Sequence, residues 1–209
     1  MLRTAIVTLV IAVLGVACAS WLTEGFQVWT AEGARRLAIL NHPVASPSAK
    51  LEGPSLTGRD LRDVLAKPGQ VTLASFIYTR CNSICLALGS SFQQLQRTIE
   101  VKQLEGVRLL SISFDAKHDD TTTLQQYALR WAADPRRWQF ASVPDQHELR
   151  RLLQAFKVVV VPDGFGGYEH NAALMIIDEH GRLSRIFDET ELDAALAYAL
   201  SLKCCNANF

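Results

Sequence analysis

The chain has 209 residues, 49% of them hydrophobic and 20% charged, enough apolar surface for one domain with a full core and too much for wholesale disorder. Its 21 basic and 21 acidic residues cancel, so no basic excess marks it for nucleic acid or an anionic membrane surface. It carries no internal repeat and no extended low-complexity tract.

The first element is an uncharged run from Thr4 to Leu22 behind Arg3. As a helix rising about 1.5 Å per residue it approaches the ~30 Å of a bilayer core. Arg3 is expected to hold the N-terminus in the cytoplasm, with Trp21 at the far interface. The reading is a single-pass inner-membrane anchor over 1–22, with the remaining chain on the periplasmic side. Cleavage after Ala17-Cys18-Ala19, or lipid on Cys18, are the alternatives. All three outcomes put the domain in a disulfide-permissive compartment.

Residues 23–50 read as stalk and linker. Thr30 is expected to cap a helix over 31–40, and Pro43 and Pro47 mark 41–48 as linker. The domain is expected over 51–203, with a cysteine-containing tail over 204–209. Within it, the apolar run Val71–Tyr78 predicts a strand covered on both faces. Ile84, Leu88, Phe92, Leu95 and Ile99 lie on one helical face. A strand over 108–114 follows, then a helix marked by Leu124, Tyr127 and Trp131. A short strand over 138–141 leads to a helix marked by Leu149, Leu152 and Phe156. Runs 172–177 and 183–187 flank Asp-Glu-His-Gly as a hairpin, and Leu192, Leu196 and Leu200 mark a last helix. This order describes a three-layer α/β/α sandwich of thioredoxin-like architecture behind an N-terminal anchor helix.

Cys81 and Cys85 fall where the first central strand gives way to its helix. Residues four apart on a helical turn face one side, so the two sulfurs are placed to close a disulfide or grip one soft ion. A helix N-terminus favours the thiolate. The same pair also fits a structural disulfide or two buried small hydrophobes. His170, behind Gly164, Gly166 and Gly167, is expected in an irregular loop that brings it to the cysteines. Thiolates suit Cu(I) and imidazole suits both copper states. Zinc is the inorganic competitor, but structural zinc normally takes four ligands.

The chain resembles the Sco/SenC family of copper chaperones and thiol oxidoreductases over roughly residues 50–202. The resemblance rests on Phe76-Ile-Tyr-Thr-Arg-Cys-Asn-Ser-Ile-Cys85, Leu110-Ser-Ile-Ser-Phe-Asp115, Asp119, Tyr127, Trp138-Gln-Phe140, and His170 before an apolar strand ending in Asp178. It implies a thioredoxin-like fold and one copper ion, Cu(I) or Cu(II), held by Cys81, Cys85 and His170. It implies a role in assembling the binuclear copper site of cytochrome c oxidase, by delivering copper or by reducing that site's cysteines. The implied partner is a copper-accepting oxidase subunit or another thiol or copper protein. The chain departs from the family at Leu86 and Ala116, where proline is usual. Asn82-Ser83-Ile84 replaces an insert that commonly carries an acid, and Asn171 stands where serine is common. Thioredoxin itself fits less well, because its motif has two residues between the cysteines.

The alternative function is an extracytoplasmic thiol–disulfide oxidoreductase or a redox or copper sensor. In the oxidoreductase reading Cys81, the more exposed sulfur, attacks a partner disulfide and Cys85 resolves the mixed disulfide. Asp115 reads as a turn or cap residue, His118 as a solvated turn residue, and Arg80 as either a surface cation or a thiolate partner. Cys204 and Cys205 fit an intermolecular disulfide, copper capture, thiol exchange or an incidental tail.

Overall fold

The computed structural model describes every residue except Met1, Glu24, Gln27, Asn82, Ser83 and 207–209, together with all side chains of those described residues other than Ile84, Cys204, Cys205 and Asn206. Helix α1 (Leu2–Leu22) contains no buried residue and has a mean hydropathy of 2.5, long and apolar enough to cross a membrane. Helix α2 (Ala31–Asn41) starts as expected at Thr30, whose hydroxyl accepts from Gly33 N–H.

Seven consecutive buried residues make β2 (Val71–Ile77) the centre of a six-stranded sheet. Its order is β1 (Val44–Ala45), β8 (Arg182–Phe187), β7 (Leu174–Ile177), β2, β3 (Val107–Ser113), β4 (Trp138–Ser142). Strands β2, β3 and β4 run parallel, and β7 runs antiparallel to β2. The crossovers between the parallel strands are α4 (Ile84–Val101) and α5 (Thr121–Arg130). Helix α4 buries Cys85, Leu88, Phe92, Leu95 and Ile99 in one stripe, so the apolar spacing read from sequence faces the core. The Ile84 side chain, counted in that stripe, lies outside the described residues. Asp120 and Asp145 cap α5 and α6 (Gln146–Ala155) by accepting backbone N–H groups. The β7–β8 hairpin turns as expected. Asp178 accepts from His180 and Arg182 N–H, and Gly181 supplies the positive φ.

Three parts differ from the sequence reading. First, 41–48 is not a free linker, because Val44 and Ala45 pair with Leu183 and Arg182 at the sheet edge. Proline opposes a central strand but is tolerated at an edge. Ile39 and Ala49 are fully buried, upstream of the expected domain start at Leu51. Arg36 of α2 ion-pairs with Asp188 and Glu191. Second, two short elements join the set: α3 (Leu61–Leu65), capped by Asp60, and a separate hairpin of β5 (Val160–Pro162) with β6 (Tyr168–His170). Third, α7 (Leu192–Asn206) runs through positions 204 and 205, so the helix continues into the expected tail. The Cys204 and Cys205 side chains lie outside the described residues.

Candidate metal and thiol site

The parallel strands β2 and β3 end together, and the chain leaving β2 is fastened residue by residue. Tyr78 is buried, and its hydroxyl meets the backbone of Tyr168, donating to the carbonyl at 3.1 Å and accepting the N–H at 3.2 Å. Thr79 donates its N–H and hydroxyl to Asp119 at 3.0 and 2.5 Å. Asp119 is fully buried and also accepts from Ser113 Oγ. Arg80 pairs with Asp115 at 2.8 Å, and His118 Nδ1 lies 2.9 Å from the same carboxylate. Arg80 therefore directs its charge to Asp115, and the Arg80 and His118 readings resolve into one cluster with that buried acid.

Cys81 follows directly. Its Sγ accepts from Cys85 N–H at 3.3 Å, the sulfur counterpart of an oxygen side chain at a helix N-cap. Neither cysteine is in a disulfide, and both are buried, at 3% and 0% exposure. Cys81 is thus the marginally more open sulfur, but neither faces solvent. The expected lowering of thiol pKa at the helix start does not reach Cys85. Burial pushes this thiol far up, outweighing backbone hydrogen bonding that acts the other way. Burial, and then the neighbouring cysteines, also push the Tyr78 phenol up.

His170 reaches the pair from the other end of the domain sequence. It is the last residue of β6, opposite Val160, rather than part of an irregular loop. Its Nε2 lies 3.7 Å from Cys85 Sγ. The ring stands edge-on to Phe114 with centroids 5.2 Å apart, and Phe114 also packs on Tyr78 and Tyr168. Burial holds His170 down at about 4, so its imidazole is neutral at neutral pH and both ring lone-pair arrangements remain open to a cation. Its Nδ1 is buried and has no hydrogen-bond partner among the described residues.

Asn171 fixes the residue after the histidine. Its Oδ1 accepts from Val159 N–H at 2.7 Å, and its Nδ2 donates to Lys157 C=O at 3.1 Å. A serine hydroxyl is too short to span both contacts, so this departure from the family pattern carries its own anchoring. Leu86, another departure beside the site, is 41% exposed next to Cys85.

The residues predicted from sequence thus converge: Cys81 with Cys85, and Cys85 with His170. Among the described residues, no three His, Cys, Asp or Glu side chains are gathered tightly enough to enclose an ion as they stand. The contacts are pairwise, and closing on a metal requires a small shift of these groups. The donor chemistry fits a soft cation: two sulfurs and a neutral imidazole, with an unpaired buried nitrogen on that ring. Sequence reasoning counted Tyr78 and Phe114 only within matched motifs and Asn171 only as a departure, and gave none of them a role in the site. The signal for Tyr78 was its place at the strand end, three residues before Cys81.

The SCO1 protein homolog of Bacillus subtilis (strain 168) is 26% identical over 125 residues, 59% of this chain and 64% of that protein. The match therefore spans less than two thirds of that relative's length. BsSco, a Sco-family cytochrome c oxidase assembly protein described with a disulfide switch, aligns at TM-score 0.67 and 21% identity, covering 78% of this chain and 95% of that one. ScoI of Bradyrhizobium japonicum with copper bound aligns at TM-score 0.61 and 23% identity, covering 77% and 98%. At these identities the two structures establish the thioredoxin-like fold. The SCO1/SenC family profile matches residues 58–203, which include the whole site, and the chain belongs to the SCO1/SenC family.

Proposed function

We propose that this protein carries one copper ion as cargo, held by Cys81, Cys85 and His170, and passes it to the copper-accepting subunit of a respiratory oxidase. The observation that carries the reading is the approach of His170 Nε2 to within 3.7 Å of Cys85 Sγ across 85 residues of sequence. A neutral imidazole facing a buried thiol has little structural purpose. Both groups are instead desolvated donors that a soft cation satisfies. Burial keeps Cys85 protonated, so metal capture releases a proton, and affinity rises with pH. The copper-bound ScoI and the oxidase-assembly family of BsSco support the same reading. Helix α1, with Arg3 in its first turn, supports a single-pass inner-membrane anchor and a periplasmic domain.

A second reading is a thiol–disulfide oxidoreductase working through Cys81 and Cys85. It is favoured by the two unbridged cysteines four apart and by the disulfide switch described for BsSco. Burial of both sulfurs weighs against it, because a bulky partner disulfide must reach them.

The test is Cu(I) competition against a chromogenic chelator, without oxygen, on the reduced full-length chain in detergent. Full length matters because α2 and β1 pack on the domain. Wild type is expected to hold one equivalent tightly, and His170→Ala and Cys85→Ser to lose it. An affinity unchanged in His170→Ala rejects the three-ligand site. No competitive binding alongside a readily cycled Cys81–Cys85 disulfide establishes the oxidoreductase reading.

A further inference from the structure

The hairpin carrying His170 stands apart from the main sheet. Among the described residues β6 pairs with β5 alone, so its other edge has no neighbouring strand to satisfy Tyr168. A phenol is both a donor and an acceptor, and Tyr78 uses both capacities on this one residue, at 3.1 and 3.2 Å, across 90 positions of sequence. The hydroxyl takes the place of a missing strand. Tyr78 sits three residues before Cys81, and Tyr168 sits two before His170. The rings reinforce the link: Tyr78 meets Tyr168 edge-on with centroids 5.4 Å apart, and Phe114 touches both tyrosines and His170.

We propose that Tyr78 is a positioning residue, whose hydroxyl locks the His170 hairpin to the cysteine-bearing strand end and so sets the histidine's distance from the sulfurs. Neighbouring residues cannot substitute for it. Thr79 and Arg80 are tied to Asp119 and Asp115 on the β3 side, and Asn171 is tied to Lys157 and Val159. Among the described residues, the Tyr78 hydroxyl gives a direct polar connection between the two ligand-bearing segments beside the ligands' own contact. Without it, His170 keeps its chemistry but loses its fixed approach. The inference rests on the copper reading for its consequence, whereas the clamp itself does not.

Tyr78→Phe removes the oxygen and leaves the buried ring. In the full-length reduced chain, Cu(I) affinity is expected to fall about tenfold, the effect of losing one or two net hydrogen bonds that hold a ligand in place. In a His170→Ala background, where only the weak residual affinity of the two thiols is left to titrate with a weaker competitor, the same substitution is expected to change that residual affinity by less than about twofold, because coupled residues are not additive. Amide exchange at Tyr168 is expected to accelerate. An equal loss of affinity in both backgrounds overturns the proposal by showing that Tyr78 acts through the cysteines or the general fold. Unchanged affinity with unchanged exchange at Tyr168 also overturns it. If wild type binds no Cu(I), the copper reading fails, and the clamp is judged by Tyr168 exchange and the His170 ring resonances alone.

Discussion

His170 shows how one side chain joins stability to chemistry. Unfolded, it titrates near 6.5, and in the fold burial holds it at about 4. Between those values the unfolded chain binds a proton that the folded chain does not. Its contribution is therefore fully present above about pH 6.5 and is lost as the pH falls through about 4. The loss is at most about 3 kcal/mol. Denaturant midpoints of wild type and His170→Gln, measured between pH 7 and 4, are expected to diverge over that window, with wild type falling more steeply. Parallel pH profiles would remove burial as the cause. The identities of the three candidate ligands were legible in the sequence, because cysteines four apart at a strand end and a histidine before a late strand announce themselves by type and place. Tyr78 was not, since nothing in a primary sequence says that a phenol will meet a backbone 90 positions away.

At the scale of elements, the junction between β2 and α4 depends on Asp119. Three donors converge on this buried carboxylate: Thr79 N–H, Thr79 Oγ1 and Ser113 Oγ. Asp119→Ala leaves all three without their acceptor and is expected to destabilise the fold by about 3 kcal/mol. Asp119→Asn is expected to cost less, because the amide oxygen accepts in place of Oδ2 while the amide nitrogen donates to the Thr79 hydroxyl. Thermal unfolding of the two variants checks the order, and equal losses would show that charge rather than hydrogen bonding matters there. The long strands and helices were readable because their apolar periods run for several turns or repeats. The β5–β6 hairpin escaped because each strand is only three residues long, Pro162 argues against a strand, and the intervening glycines resemble any loop. Its pairing is specified by Asp163, which accepts from Phe165 and Gly167 N–H, and by Asn171. Those are contacts of geometry rather than pattern.

For the whole molecule, the stalk is part of the domain. Helix α2 buries Ile39 completely, and burying such a side chain contributes about 1.5–3 kcal/mol. The partly exposed Arg36 pairs add about 1 kcal/mol or less. A chain beginning at Pro43 is expected to be about 2–4 kcal/mol less stable than one beginning at Val28, as read from urea midpoints. Equal midpoints would show that α2 merely rests on β8. Five strands of the sheet followed from the order of the elements, but its upstream edge, β1, did not, because a two-residue strand between prolines carries no periodic signal.

The docking of α2 also changes the search problem facing the protein. With α1 in a bilayer, the tether between anchor and domain is the seven residues 23–29 rather than the whole of 23–50. Fully extended, that tether spans only about 25 Å, and turn hydrogen bonds at Thr23, Gly25 and Val28 shorten it further. A tether of that length keeps the site within a shallow layer above the lipid. A recipient embedded in the same membrane meets it by lateral diffusion at high effective concentration, whereas one standing far above the surface is out of range.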